Sequence, residues 1–134
     1  MNYQVIYYSR SGQTKKIADA IASELGVITE DVKHARLNND SIVILGSGCY
    51  GGKPAKSIIK FIQDNEFKDR TVFLFGTSGG GLGQEIEKMK AHLKPKGATI
   101  KGTFYCKGKF LIASRGHPTQ EDLEKAKTFA KTMI

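Results

Sequence analysis

The segment Tyr7-Tyr8-Ser9-Arg10-Ser11-Gly12-Gln13-Thr14 sets three hydroxyls, at Ser9, Ser11 and Thr14, around a glycine. It joins an apolar run to an amphipathic helical pattern, which is where a phosphate pocket would form. Hydroxyls donate to phosphate oxygens, and Gly12 permits a tight turn. The unpaired N–H groups and partial positive charge at the start of the following helix favour the same anion. A Gly-x-x-x-x-Gly-Lys nucleotide loop needs a longer spacing and a terminal lysine, so that chemistry is excluded. No Cys-x5-Arg phosphatase loop occurs either. The competing reading of the segment is a ligand-free, Ser/Gly-rich turn.

Two other loops are chemically unusual: Gly46-Ser47-Gly48-Cys49-Tyr50-Gly51-Gly52 and Gly76-Thr77-Ser78-Gly79-Gly80-Gly81. Each follows an apolar, β-branched run, Ser41 to Leu45 and Thr71 to Phe75, of the kind that forms a strand buried on both faces. Val5 to Tyr8 reads as a first strand, Val27 to Thr29 as a weak second and Thr99 to Cys106 as a fifth. Between them lie helical patterns. Ile17, Ala18, Ile21, Ala22 and Leu25 share one helix face, which Gly26 ends. Ile58, Ile59 and Ile62 mark a helix expected to start at Pro54. Leu82, Ile86, Met89 and Leu93 mark a third, closed by Pro95 and Gly97. Thr119 with Asp122 predicts a capped final helix whose Leu123, Ala126, Ala130 and Met133 face inward. Strands alternating with helices predict an α/β fold, a doubly wound five-stranded parallel sheet of order 2-1-3-4-5 with helices on both faces. Such a sheet binds ligands beyond the carboxyl ends of strands one and three. The loops after strands one, three and four then fall together, and they are the three unusual ones.

Length and composition fit one domain over residues 1–134: the chain has 134 residues, 40% of them hydrophobic. No basic segment followed by a long apolar stretch opens it, and no run approaches the ~20 residues of a membrane span. Cys49 and Cys106 are far apart and form no C-x-x-C pair. That usage fits a reducing cytoplasm and, with three scattered histidines, builds neither a zinc nor an iron–sulfur site. No Ser-His-Asp or paired-carboxylate arrangement is recognisable, so no catalytic side chain is assigned and a cofactor would carry any chemistry.

On the first loop, its position in the first strand–helix turn and the two glycine-rich loops, the chain resembles the flavodoxin family over essentially its whole length, in the form lacking an insertion in the last strand. The resemblance implies FMN, with Ser9, Arg10, Ser11, Gly12, Gln13 and Thr14 around its phosphate. It places Ser47, Gly48, Cys49, Tyr50, Gly51 and Gly52 on one side of the isoalloxazine and Thr77, Ser78, Gly79, Gly80 and Gly81 on the other. Tyr50 stands where the family often puts a residue against the inner flavin face. Gly51-Gly52 matches a turn whose peptide rotates toward the reduced flavin and tunes its potential, about 59 mV for each ~1.4 kcal/mol. Three departures stand out. Gly80 replaces an aromatic cover, Gly48 replaces a hydroxyl for which Ser47 is the expected substitute, and the formal net charge is +8 where the family is typically acidic.

That charge is concentrated. Segments 9–16, 47–56, 77–84 and 107–118 hold Arg10, Lys15, Lys16, Lys53, Lys56, Lys107, Lys109 and Arg115 and no acidic residue. A one-signed rim (Lys53, Lys56, Lys107, Lys109, Arg115) steers acidic partners. Nucleic acid fits a basic chain too, but no recognition motif is present, and neither nucleic acid nor a membrane is the expected partner. Cys49 reads as a small packed residue with a redox-sensitive alternative. His117 and the run Phe110-Leu111-Ile112 stand near the cleft without an assigned role. The expected function is electron transfer to or from a redox protein with an acidic surface. The alternative is an FMN-dependent reductase acting directly on a small anionic or aromatic acceptor of quinone or tetrapyrrole type. A ligand-free interaction domain is the third reading, disfavoured by the three loops.

Overall fold

The computed structural model describes residues 2–10, 12–78, 83–107 and 119–134. Its elements run β1 (Tyr3–Tyr8), α1 (Gln13–Leu25), β2 (Thr29–Asp31), β3 (Ile42–Gly48), α2 (Lys56–Asp64), β4 (Thr71–Ser78), α3 (Gln84–Leu93), a 3-10 turn (Lys94–Lys96), β5 (Thr99–Lys107) and α4 (Gln120–Lys131). The five strands form one sheet of order β2-β1-β3-β4-β5, parallel at every pairing. This is the architecture expected from the alternation of apolar runs and helical stripes.

Side chains alternate across each strand and divide the core into two layers. Val5, Tyr7, Ile44, Phe73 and Phe75 face α1 and α4, meeting Ile17, Ala18, Ile21, Ala126 and Ala130. Ile6, Val43, Leu45, Val72 and Leu74 face α2 and α3, meeting Ile58, Ile62, Ile86 and Met89. Val43, Ile44 and Leu45 are fully buried, as a central strand covered on both faces requires. Thr119 and Asp122 form the expected capping box: the Asp122 amide donates to Thr119 Oγ1 (3.2 Å) and the Thr119 amide to the Asp122 carboxylate (2.9 Å).

Several boundaries differ from expectation. The second strand is Thr29–Asp31 rather than 27–29, because the Val27 amide closes the end of α1 by donating to Ala22 O at 3.0 Å, beside Gly26 at φ 71°. Helix α2 starts at Lys56, not Pro54: Ala55 is extended (ψ 143°), and its carbonyl accepts the first helical bonds from Ile58 and Ile59. Strands β3 and β4 run on through glycines read as loop. A Cβ at Gly46 would lie 2.1 Å from the Phe75 ring, and one at Gly76 2.1 Å from the Glu85 carboxylate. These two glycines accommodate neighbouring side chains inside the protein. Leu82, expected at the head of the α3 stripe, lies outside the described residues.

Candidate functional site

The loop after β1, the loop after β3 and the end of β4 come together at the carboxyl end of the sheet. In the first, Gly12 takes the left-handed conformation (φ 94°) that starts α1, and its amide donates to Ser9 Oγ at 2.9 Å. No side chain caps α1 and no acid stands in its first turn, so the N-terminal partial charge is left for an anion. Space beside Gly12 is open: an added Cβ would meet nothing within 4 Å. Gln13 begins the helix. Thr14 is buried, and its hydroxyl lies 2.7 Å from that of buried Thr77. That bond ties the first loop to the end of β4. Lys15 pairs with Asp19 at 2.9 Å, so its charge is offset within α1. Ser11 lies outside the described residues.

In the second loop the hydroxyl of Ser47, expected to substitute for the one missing at Gly48, is engaged within the protein. It is fully buried, donates to Gly48 O at 2.7 Å and accepts from the Ala55 amide at 2.9 Å, fastening the strand end to the start of α2. Gly48 leaves room for Tyr50, whose hydroxyl would lie 2.7 Å from a Cβ added there. Tyr50 packs edge-on against Tyr8 (ring centroids 6.1 Å apart), and the Arg10 guanidinium stands 4.7 Å from its ring centre. Burial pushes the Tyr50 phenol up, with Arg10 opposing. The chain then reverses: Tyr50 and Lys53 exchange backbone bonds of 2.7 and 3.3 Å around Gly51 (φ 63°) and Gly52 (φ 80°). Two successive positive φ angles make this a position for paired glycines. Cys49 is partly exposed and free, and burial pushes its thiol up, with the Glu85 carboxylate adding to the shift. Burial pushes the Cys106 thiol up to about 12. Both shifts disfavour the thiolate, which is the reactive form.

In the third loop, Thr77 closes β4 and Ser78 pairs with Lys107 at the end of β5. Gly79, Gly80 and Gly81, with Lys109, Phe110, Leu111, Ile112, Arg115 and His117, lie outside the described residues. Against the end of β4 sits a residue the sequence reading missed. Glu85 is completely buried under Gly76, and neither carboxylate oxygen has a hydrogen-bond partner among the described residues. Burial pushes this carboxyl up, toward the neutral form. Its signal was present: Glu85 lies four residues before Met89, on the buried stripe of α3. Lys33, after β2, was missed too. It joins Arg10, Lys53 and Lys56 around one cleft, a convergence no local pattern announces.

Comparison with known proteins agrees with this arrangement. A family model described as a flavodoxin domain matches residues 4–114. An uncharacterized protein of Methanocaldococcus jannaschii is 32% identical, over 90% of this chain and 89% of its own. A flavodoxin of Megasphaera elsdenii is 26% identical, over 75% and 82%. Among solved structures, a flavodoxin from the domain Archaea superposes with a TM-score of 0.79 at 20% identity, covering 99% of this chain and 96% of the other. The parallel order, the anion-ready start of α1 and the family match over residues 4–114 agree that this chain belongs to the flavodoxin-domain family.

Proposed function

We propose that the protein binds FMN and transfers electrons to or from a redox partner with an acidic surface. The observation that supports this most is the start of α1: an uncapped, acid-free helix N-terminus beside open space at Gly12, tied through Thr14 and Thr77 to the loop on the other side of the site. Those residues fit a phosphate monoester. Ser9, Gly12, Gln13 and Thr14 would hold it, and segments 47–52 and 77–81 would flank the ring. Bound flavin supplies the one- and two-electron chemistry. The chain's own residues bind, orient and shield it. The Gly51-Gly52 reversal presents backbone rather than side chain to the site. Free Cys49 and Cys106 suit a reducing compartment such as the cytoplasm.

The partner reading follows from charge. Among the described residues, no ion pair involves Arg10, Lys53 or Lys56. Unpaired cations beside a cofactor steer acidic surfaces and raise association rates. The alternative, direct reduction of a quinone- or tetrapyrrole-type acceptor, is favoured by one feature: the cleft beside Tyr50 is of small-molecule size, about 440 Å³. Titration of apoprotein with FMN and riboflavin tests the cofactor. FMN should bind at least tenfold more tightly, and Thr14→Ala should weaken it by about 1–3 kcal/mol through loss of a hydrogen bond to a charged group. Equal affinity for the two flavins would remove the phosphate-pocket argument.

A further inference from the structure

Two helices at the carboxyl end of the sheet begin without a side-chain cap and without an acid in the first turn: α1 and α2. Their neighbours do not. α4 has its capping box with Glu121 and Asp122, and α3 carries Glu85 and Glu87 in its first turn. The flavin-phosphate reading accounts for α1 and leaves α2 unexplained. Gly12, Gln13 and Thr14, at the start of α1, are not among the described residues that line the cleft at the start of α2. Tyr8, which borders the start of α2, packs with the α2–α3 layer, whereas α1 belongs to the layer on the other face.

The cleft at α2 has a consistent chemistry. Arg10, Lys33, Lys53 and Lys56 line it, and no acidic residue does. None of these four cations is ion-paired among the described residues. Two of them sit over rings instead: Arg10 over Tyr50 at 4.7 Å and Lys33 over Tyr8 at 5.5 Å. Such stacking orients the cations but leaves them uncompensated. Ser57, at the second position of α2, borders the same cleft, and its hydroxyl is buried without a hydrogen-bond partner among the described residues. An unpartnered buried hydroxyl is a donor awaiting an acceptor. Tyr8, Tyr50, Pro54 and Ala55 supply the apolar wall. Four cations, an open helix start and a free donor ask for negative charge, and the apolar wall asks for a flat carbon frame behind it.

We infer that the cleft bounded by Tyr8, Tyr50 and the start of α2 binds a small organic anion, a carboxylate or phosphate carried on a planar unsaturated frame. Because Arg10 and Tyr50 belong to the loops that would hold the flavin, a molecule seated there would lie beside the cofactor, placed to be its electron acceptor or donor. That last step rests on the proposed function; binding of the anion does not.

Titration of the full chain with 2-naphthoate, followed by amide NMR, tests the site, with neutral 2-naphthalenemethanol and inorganic phosphate as comparison probes. Saturable naphthoate binding is expected, with shifts at Tyr8, Lys33, Tyr50 and Ser57, weakening steeply between low and physiological salt. Naphthalenemethanol should bind at least tenfold more weakly. Lys56→Glu should weaken naphthoate at least tenfold, and Ser57→Ala severalfold. Lys56→Glu adds an acid to the first turn of α2, which favours the helix, so weaker binding cannot be ascribed to its loss; Lys56→Gln gives a milder control in the same direction. Equal binding of the neutral probe, shifts confined to Gly12–Thr14, or indifference to Lys56→Glu would each overturn the inference. Inorganic phosphate should perturb the Gly12–Thr14 segment before the cleft, and the reverse order would overturn the assignment of a planar frame. Thr14→Ala separates the two proposals: it should weaken FMN and leave naphthoate unchanged. A chain that binds naphthoate at the cleft but fails to bind FMN would defeat the proposed function alone.

Discussion

The two ends of the sheet treat buried polar groups in opposite ways. At the amino end, Gln4 is buried and fully used: its amide nitrogen donates to Arg36 O (2.8 Å) and the Glu30 carboxylate (3.2 Å), and its oxygen accepts from Asn38 N (2.9 Å) and Ser41 Oγ (2.5 Å). Arg70 continues the network, donating to Ser41 O at 2.8 Å, Ser41 Oγ at 3.1 Å and Asn39 O at 3.3 Å. At the carboxyl end, Glu85 and Ser57 have buried oxygens without partners among the described residues, and two helices, α1 and α2, start with neither a side-chain cap nor an acid in the first turn. A satisfied network adds stability and uniqueness, whereas unmet donors and acceptors cost stability and persist where something else is to be bound. The difference teaches which end is built to hold the protein together and which end leaves polar groups free, as the proposed ligand site requires.

Breaking the satisfied end should give the largest change. Gln4→Ala removes four hydrogen bonds and takes from the buried Ser41 hydroxyl its acceptor, so unfolding free energy should fall by roughly 2–4 kcal/mol. Chemical denaturation checks this, and flavin affinity, set at the other end, should stay within about twofold. A loss confined to flavin binding would invert the comparison.

Glu85 gives a smaller effect confined to a pH window. Its carboxyl is pushed up by burial in the folded protein. A raised folded pKa means that the folded state binds the proton more tightly than the unfolded chain. The stability it contributes is therefore full below the unfolded carboxylate range and is lost as pH rises through the folded value. Wild-type stability should decline as pH rises from about 4.5. In Glu85→Gln, which keeps the shape without the titration, that decline should be absent. Parallel profiles for the two proteins would show that the carboxyl has found a partner and is not neutral.

The smallest change tests the capped helix against the open ones. Thr119→Ala should cost about 0.5–2 kcal/mol, because both bonds of the Thr119 hydroxyl are lost, the one it accepts from the Asp122 amide and the one it donates to the Asp122 carboxylate. Ser9→Ala, at an uncapped start, should change apoprotein stability less than it changes FMN affinity. Thermal unfolding with and without FMN separates the two.

Much of this was legible in residue patterns. The buried stripe of α1, the Thr119–Asp122 box and the run Ile42 to Leu45 are local signals, each written within a turn or two of chain. So was the first loop, where hydroxyls and a glycine stand at fixed spacing ahead of a helix. The alternation of these elements then leaves few topologies, since parallel crossovers have one hand and short connections, and order β2-β1-β3-β4-β5 is the outcome. Tertiary structure decided what glycine and serine mean. Gly46 and Gly76 read as loop, yet they lie in strands because Phe75 and Glu85 occupy the space a Cβ would take. Ser47 reads as a ligand hydroxyl, yet Ala55 and Gly48 consume it. Lys33 carries no local signal at all and reaches the cleft only because β2 pairs with β1. A periodic pattern records which face of one element is apolar, and that is a property of the segment. Which side chain fills a neighbour's empty space is a property of two segments brought together, and only the packed chain contains it.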